Sequence, residues 1–267
     1  MGLRKFKDQL QRTIEFHFPP KRIISLVPSQ TELLFSLGLD EEIVGITKFC
    51  IHPADQFKRK AKVGGTKVLK LDAIRSLKPD LIIGNKEENE RGQIEQLMQE
   101  FPVWMSDVND VGDAMQMIKE VGAVTGKETA ANSLVEDIQL EFATLRQLRS
   151  PKLKAVYLIW KDPYMVAGAY TFIDDVISRA GWENAISAAR YPVITKEELC
   201  KIGPDLVLLS SEPYPFADKH IEEFRAICPG SHIRIVDGEM FSWYGSRLLH
   251  TPEYLYSLKQ QFDTVKS

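Results

Sequence analysis

Short apolar runs alternate with amphipathic stretches along the whole chain. Residues 23–26, Ile-Ile-Ser-Leu, make the first run. It is too short for a helix and has the continuous apolar character of a strand covered on both faces. Pro28-Ser29-Gln30-Thr31-Glu32 follows. Ser29 and Glu32 stand at capping-box spacing, which predicts a helix start, and Gly38 supplies its stop. The same alternation predicts strands at 43–47, 81–84 and 103–106, and helices over 69–77, 91–100 and 111–121. In the second half it predicts strands at 155–160, 206–210 and 233–236. Helices there run from a Thr171 cap to 180, from the Thr195/Glu198 capping pair, over 218–227, and through Tyr254, Leu258 and Phe262 at the end.

Residues 127–149 break this rhythm. They contain neither Gly nor Pro, and Leu134, Ile138, Phe142 and Leu145 recur at helical spacing. A helix of that span reaches about 35 Å at ~1.5 Å per residue, long for a connector inside one lobe. Ser150-Pro151 ends it. The halves on either side echo each other. "LDAIRSLKPDLIIG" in the first answers "KEELCKIGPDLVLLS" in the second, and Pro79/Pro204, Asp80/Asp205 and Glu87/Glu212 share an offset of 125 residues. The expected fold class is therefore α/β: two Rossmann-like lobes with central, mostly parallel sheets, joined by one long helix. The boundaries are expected at 1–124, 125–150 and 151–267, with the helix as the only backbone bridge.

Composition narrows the function. A net charge of -3 leaves no basic surplus for a nucleic-acid partner. No apolar run is long enough to span a bilayer. The first eleven residues are basic and polar, with no apolar h-region behind them and no cysteine to carry a lipid. The chain as it stands is expected in the cytoplasm; a trimmed leader would place it in the periplasm. Cys50, Cys200 and Cys228 form no CxxC pair and are expected as free thiols. Cys50-Ile51-His52 is a lone Cys/His pair, so no metal site is expected. No GxGxxG, GxxxxGK[ST] or GxSxG segment appears in a matching context. No catalytic residue is assigned, no cofactor is required, and the protein is expected not to be an enzyme.

Four segments carry a family resemblance. "KRIISLVPSQTELLFSLGL", "VGGTK" at 63–67, "LKPDLIIGNKEENERGQIEQL" and "SSEPYPF" at 210–216 stand in the order found in the helical-backbone, or class III, substrate-binding proteins. The chain resembles that family from about residue 14 to its last helix. The resemblance implies two lobes with little hinge motion and a ligand held between them. It implies a metal chelate as that ligand: cobalamin or another corrinoid, a ferric siderophore, or haem. It also implies a monomer serving an ABC permease, with one surface glutamate per lobe docking on permease arginines. Glu87 or Glu90 and Glu212 are the matching positions. Two alternatives stand beside it: a soluble cytosolic corrinoid sensor or scavenger, and a chelatase-like enzyme. A nitrogenase-like component would need more cluster-ligating cysteines than three.

In open α/β sheets ligands bind beyond the carboxyl ends of the strands. That rule selects Ser29, Gln30, Asn85 and Lys86 in the first half. In the second it selects Trp160, Lys161, Tyr170, Trp243, Tyr244 and Arg247. Flat chelates stack on aromatic rings, and Lys161 or Arg247 would meet acidic substituents. Only the second half is expected to offer aromatic faces. Trp104 and Trp182 are expected to pack internally. Trp243→Ala is expected to weaken binding at least about tenfold; a ring in the cleft would leave the empty protein nearly as stable, whereas a core ring would cost it several kcal/mol.

Overall fold

The structure, a computed structural model, describes residues 2–147 and 152–263. The chain begins with a hairpin of β1 (Gly2–Lys7) and β2 (Thr13–Phe18), paired antiparallel. The apolar pattern assigned no element to this stretch. Its turn is held by Asp8, whose buried carboxylate accepts from the backbone N–H groups of Leu10 at 3.0 Å and Arg12 at 2.9 Å. Such local carboxylate-to-backbone bonds carry no apolar period to be seen in sequence.

The first α/β succession comprises β3 (Ile23–Ser25), α1 (Pro28–Ser36), β4 (Ile43–Ile46), α2 (Ala54–Arg59), β5 (Ala61–Lys62), α3 (Leu71–Leu77), β6 (Leu81–Asn85), α4 (Arg91–Met98), β7 (Val103–Ser106) and α5 (Val111–Thr125). The strands form a five-stranded parallel sheet in the order β5-β4-β3-β6-β7. Every residue of β3, β6 and β7 is buried, as their unbroken apolar runs require. Ile24, Leu26, Val63, Ile82 and Val103 pack with Ile74, Ile94 and Leu97 of the helices on one face.

The α1 start differs from expectation. Its N-cap is Val27, with no side-chain capping bond, and Pro28 occupies the first turn. Proline suits that position because its missing N–H would lack a helical partner anyway. Ser29 is thus inside the helix and buried, and Glu32 is engaged elsewhere. Gly38, at φ 78°, ends the helix as expected.

Helix α6 (Glu128–Gln147) follows α5 after Gly126. Ala131, Val135, Ile138, Phe142 and Leu145 form its buried stripe, while Leu134 is half-buried. Residues 148 and 149 of the expected helix, and the break at Ser150-Pro151, lie outside the described residues.

The second succession comprises β8 (Lys154–Trp160), β9 (Tyr164–Val166), α7 (Phe172–Arg179), β10 (Glu183–Asn184), β11 (Val193–Ile194), α8 (Lys196–Ile202), β12 (Leu206–Ser210), α9 (Asp218–Ile227), β13 (His232–Val236), α10 (Gly238–Ser242), a 3-10 turn (Ser246–Leu249) and α11 (Thr251–Asp263). The sheet order is β11-β9-β8-β12-β13, with β10 paired to the first part of β8. Strands β8, β10, β12 and β13 run parallel; β9 and β11 run antiparallel to their neighbours. Thr171 caps α7, and Thr195 with Glu198 closes both bonds of the expected capping box.

The repeated Pro-Asp segment has one physical job in both halves. Lys78 and Gly203 end their helices in left-handed conformation, at φ 46° and 55°. The aspartate that follows then accepts from the backbone entering the neighbouring strand. Asp80 takes the N–H groups of Lys21 at 2.7 Å and Arg22 at 2.8 Å, and Asp205 takes that of Lys154 at 2.8 Å.

Two compact units result. One comprises Met1–Val108, Gly112–Asp137 and Tyr244–Arg247; the other comprises Asn109–Val111, Ile138–Trp243 and Leu248–Ser267. The division between these units falls inside α6, between Asp137 and Ile138.

Candidate functional site

In the first unit the parallel strands end together, so the loops after β3, β4, β5 and β6 share one edge. Beneath them lies a buried polar framework. Gln30 donates through Nε2 to Ser106 Oγ, and Asn85 Nδ2 donates to the same oxygen at 2.9 Å. Asn85 Oδ1 accepts from Glu87 N at 2.8 Å and Glu88 N at 2.9 Å. Asn89 Oδ1 accepts from Asn85 N, and its Nδ2 donates to Thr66 O. Of the residues selected as ligand contacts, Gln30 and Asn85 belong to this framework, and Ser29 is buried as well. Cys50 is buried too. Its thiol bonds with the Thr31 and Thr47 hydroxyls, and burial pushes its pKa up.

Above this framework Phe49, Ile51 and Val68 stand exposed, at 49%, 45% and 74%. The Phe49 ring lies over Gly65, where an added Cβ would meet it at 3.0 Å, and Lys48 Nζ sits 4.9 Å from the ring centroid. An apolar, aromatic face thus exists in this unit as well, contrary to the expectation that only the second half offers one. This exposure was not legible in the sequence, because the same letters serve a core equally well. Lys86 is exposed and paired with Asp107 at 2.6 Å. Glu87 is exposed, and its carbonyl accepts from Lys67 Nζ. Glu90 caps α4, accepting from Gly92 N and Gln93 N at 2.8 Å each, and those bonds lower its pKa.

Residues 244–247 also belong to this unit. Arg247 makes a two-pronged pair with Glu32, at 3.0 and 2.7 Å, with both side chains mostly covered. It is thereby tied to α1. Tyr244 is buried, at 6% exposure. Gly245, at φ 148°, lies against Ser29 O, which a Cβ there would meet at 2.9 Å.

In the second unit Trp160 closes β8 with its ring 42% exposed, and Tyr214 meets it edge-on at 5.5 Å. Tyr170 is 76% exposed in left-handed conformation, φ 61°. Its N–H donates to Asp174 at 3.2 Å and its carbonyl accepts from Arg190 at 2.8 Å. It follows β9, which runs against β8, so strand-end geometry alone does not put it beside Trp160. Lys161 is tied to Glu223, which also accepts from Tyr164 OH at 2.6 Å. Lys161 too is therefore paired internally. Tyr164 itself opens β9 and is buried. Trp104 and Trp182 are buried, as expected.

Trp243 is 7% exposed, and its indole N–H donates to Glu212 at 2.8 Å; Ser242 Oγ adds a second bond at 3.1 Å. Both partners serve the half-buried Glu212 carboxylate, so this glutamate is occupied internally. It lines an open depression of about 510 Å³ with Ser211, Ile235, Val236, Asp237 and Glu239. Burial raises the Glu212 pKa, and the nearby Glu239 and Asp237 add to the rise, against the lowering effect of the Trp243 and Ser242 bonds. A raised carboxyl value means that protonation favours the fold. That contribution is complete below the unfolded value and fades as pH climbs through the folded one. Glu212→Gln keeps an acceptor for both donors and cannot ionise. It should be as stable as the parent or slightly more so at pH 7.5, and that difference should shrink by pH 5. Urea midpoints of both proteins at the two pH values check this; an identical difference at both would contradict it.

Among the described residues no cluster of three or more His, Cys, Asp or Glu side chains is placed to hold a metal ion, and no helix is long and apolar enough to cross a membrane.

A family model described as periplasmic binding protein matches residues 23–227. The vitamin B12-binding protein of Pectobacterium carotovorum subsp. carotovorum (strain PC1) is 23% identical over 245 residues, covering 89% of this chain and 88% of that protein. An uncharacterized ABC transporter substrate-binding lipoprotein, YvrC, of Bacillus subtilis (strain 168) is 26% identical, with coverages of 93% and 82%. Among solved structures, the periplasmic heme-binding protein RhuT from Roseiflexus sp. RS-1, in apo form, superposes with a TM-score of 0.75 at 23% identity, over 91% of this chain and 97% of that one.

Proposed function

This chain belongs to the periplasmic binding protein family, and from that premise we propose that it is a non-catalytic receptor for a metal chelate. The chelate is cobalamin or another corrinoid, a ferric siderophore, or haem. The named relatives support the class: one binds vitamin B12, one binds heme, and one is a substrate-binding lipoprotein of an ABC transporter. They also favour work outside the cytoplasm, beside a permease, over the cytoplasmic alternative.

The observation that carries the reading is where large apolar side chains stay uncovered. Nine are exposed among the described residues, and five of them are Phe49, Ile51, Val68, Trp160 and Tyr170, in loops or at a strand's last residue. Uncovered rings and branched side chains in loops suit a flat or bulky apolar ligand, whose burial repays their exposure. Lys86, Trp160 and Tyr170 remain as accessible members of the set chosen from sequence. Glu87 is the exposed carboxylate best suited to meet a permease arginine.

Thermal unfolding with cyanocobalamin, haemin or a ferric hydroxamate siderophore tests the reading. At a hundredfold excess over Kd, a ligand of the native state adds about 2.7 kcal/mol, a rise of about 5–10 °C for a chain of this size. One of the three should produce it, and Phe49→Ala or Trp160→Ala should reduce it. No shift with any of them would remove the metal-chelate assignment.

A further inference from the structure

We propose that His220 is a positioning residue for the aromatic face presented by Trp160, a role whose purpose rests on the ligand-binding reading above. Helix α9 begins after Ala217, whose side chain has no acceptor for capping. The Ala217 N–H instead donates to His220 Nδ1 at 2.8 Å. His220 is the third residue of the helix, the position from which Glu or Gln reaches back in a capping box. Accepting that bond requires a lone pair on Nδ1, so the imidazole is the neutral tautomer with its proton on Nε2. Nε2 lies 3.5 Å from Tyr214 OH, at the outer limit of hydrogen bonding.

Ring packing carries the rest. His220 meets Tyr214 edge-on at 5.6 Å and Phe216 at 5.4 Å, and Tyr214 meets Phe216 at 4.7 Å. At 3% exposure His220 cannot touch a ligand itself. It closes the turn from Ser211 to Ala217 and backs Tyr214, whose ring in turn stands edge-on to Trp160 at 5.5 Å. The half-exposed indole is thereby aimed by a buried imidazole that makes no contact with it.

Trp160 can be read separately. The other tryptophans, Trp104, Trp182 and Trp243, are 0%, 3% and 7% exposed, so acrylamide-accessible fluorescence reports Trp160. The test compares His220→Phe, which keeps a ring and loses the acceptor, with His220→Gln, which restores an acceptor of capping-box type. Trp160→Phe identifies the signal. In the unliganded full chain His220→Phe should change the accessible quenching component, and His220→Gln should return it to the parent value. Cyanocobalamin affinity should follow, falling about two- to tenfold in His220→Phe, the worth of one aromatic pairing.

Unchanged quenching in His220→Phe, or the same change in His220→Gln, overturns the positioning role whatever happens to affinity. If the quenching changes and is rescued while the parent protein binds no cyanocobalamin, the positioning role stands and the corrinoid assignment falls. Should His220→Phe fail to fold, Tyr214→Leu, which leaves the cap intact, must produce the change in Trp160. Its absence there would equally overturn the role.

Discussion

Replacing Trp243 with alanine is expected to cost the folded protein about 3–5 kcal/mol, the range for removing a buried tryptophan. The indole is 7% exposed and its N–H is bound to Glu212 at 2.8 Å. Its loss opens a cavity and takes one donor from a half-buried carboxylate that already titrates high. Trp243→Phe should recover part of the packing but not the bond to Glu212. Denaturant unfolding of the two variants measures both terms. Of the two stability outcomes set out from the sequence, this burial favours the core one. Trp243 sits at the end of a predicted strand-and-turn segment, where stacking on a ligand and sealing a core demand the same residue type. A cost under about 1 kcal/mol would return Trp243 to the accessible surface.

The second large effect is expected at Gly64, within the Val-Gly-Gly-Thr-Lys segment. Its φ is +106°, and a Cβ there would lie 2.5 Å from Val68 O and 2.9 Å from Lys70 N. Both are backbone atoms, held in place by the bonds Gly65 N to Val68 O and Lys70 N to Val63 O, each 2.8 Å. Neither can rotate away as a side chain would. Gly64→Ala should therefore cost about 2–4 kcal/mol, combining a strained backbone with overpacking. It should also disturb the turn from Gly64 to Val68, on which the Phe49 ring packs at Gly65, so any chelate affinity falls with it. Gly65→Ala is the contrast: its nearest neighbours are the Phe49 ring and the Lys48 side chain, which can yield. Equal melting points for Gly64→Ala and the parent would refute the argument.

Much of the frame was legible before any coordinates. Buried parallel strands are continuous apolar runs, so 103–106 and 206–210 match their strands residue for residue, and 218–227 matches α9. The Thr195/Glu198 cap and the Gly38 stop were legible because each uses a side chain or a left-handed glycine that only one local geometry accepts. The Pro-Asp repeat announced two related α/β halves, and its aspartates turned out to anchor the neighbouring strand entries. The short strands β9, β10 and β11 were not legible, because two or three paired residues leave no period to detect. The six-residue β2 does carry a period of two, in Ile14, Phe16 and Phe18.

What the sequence determined by itself was local and periodic: the element order, the helix ends, the α/β class, and the edge of each sheet where loops gather. What only the tertiary structure decided was the allegiance of each loop side chain. Arg247 pairs with Glu32 across 215 residues of chain, Lys161 with Glu223, and Trp243 with Glu212. Each has the composition of a ligand contact, and each has a partner within the fold. Phe49, Ile51 and Val68 were unremarkable as letters and are left uncovered. The physical reason is that propensity and capping act within a few residues, whereas burial and charge pairing depend on partners far apart in the chain. Those partners meet only once the sheets have formed.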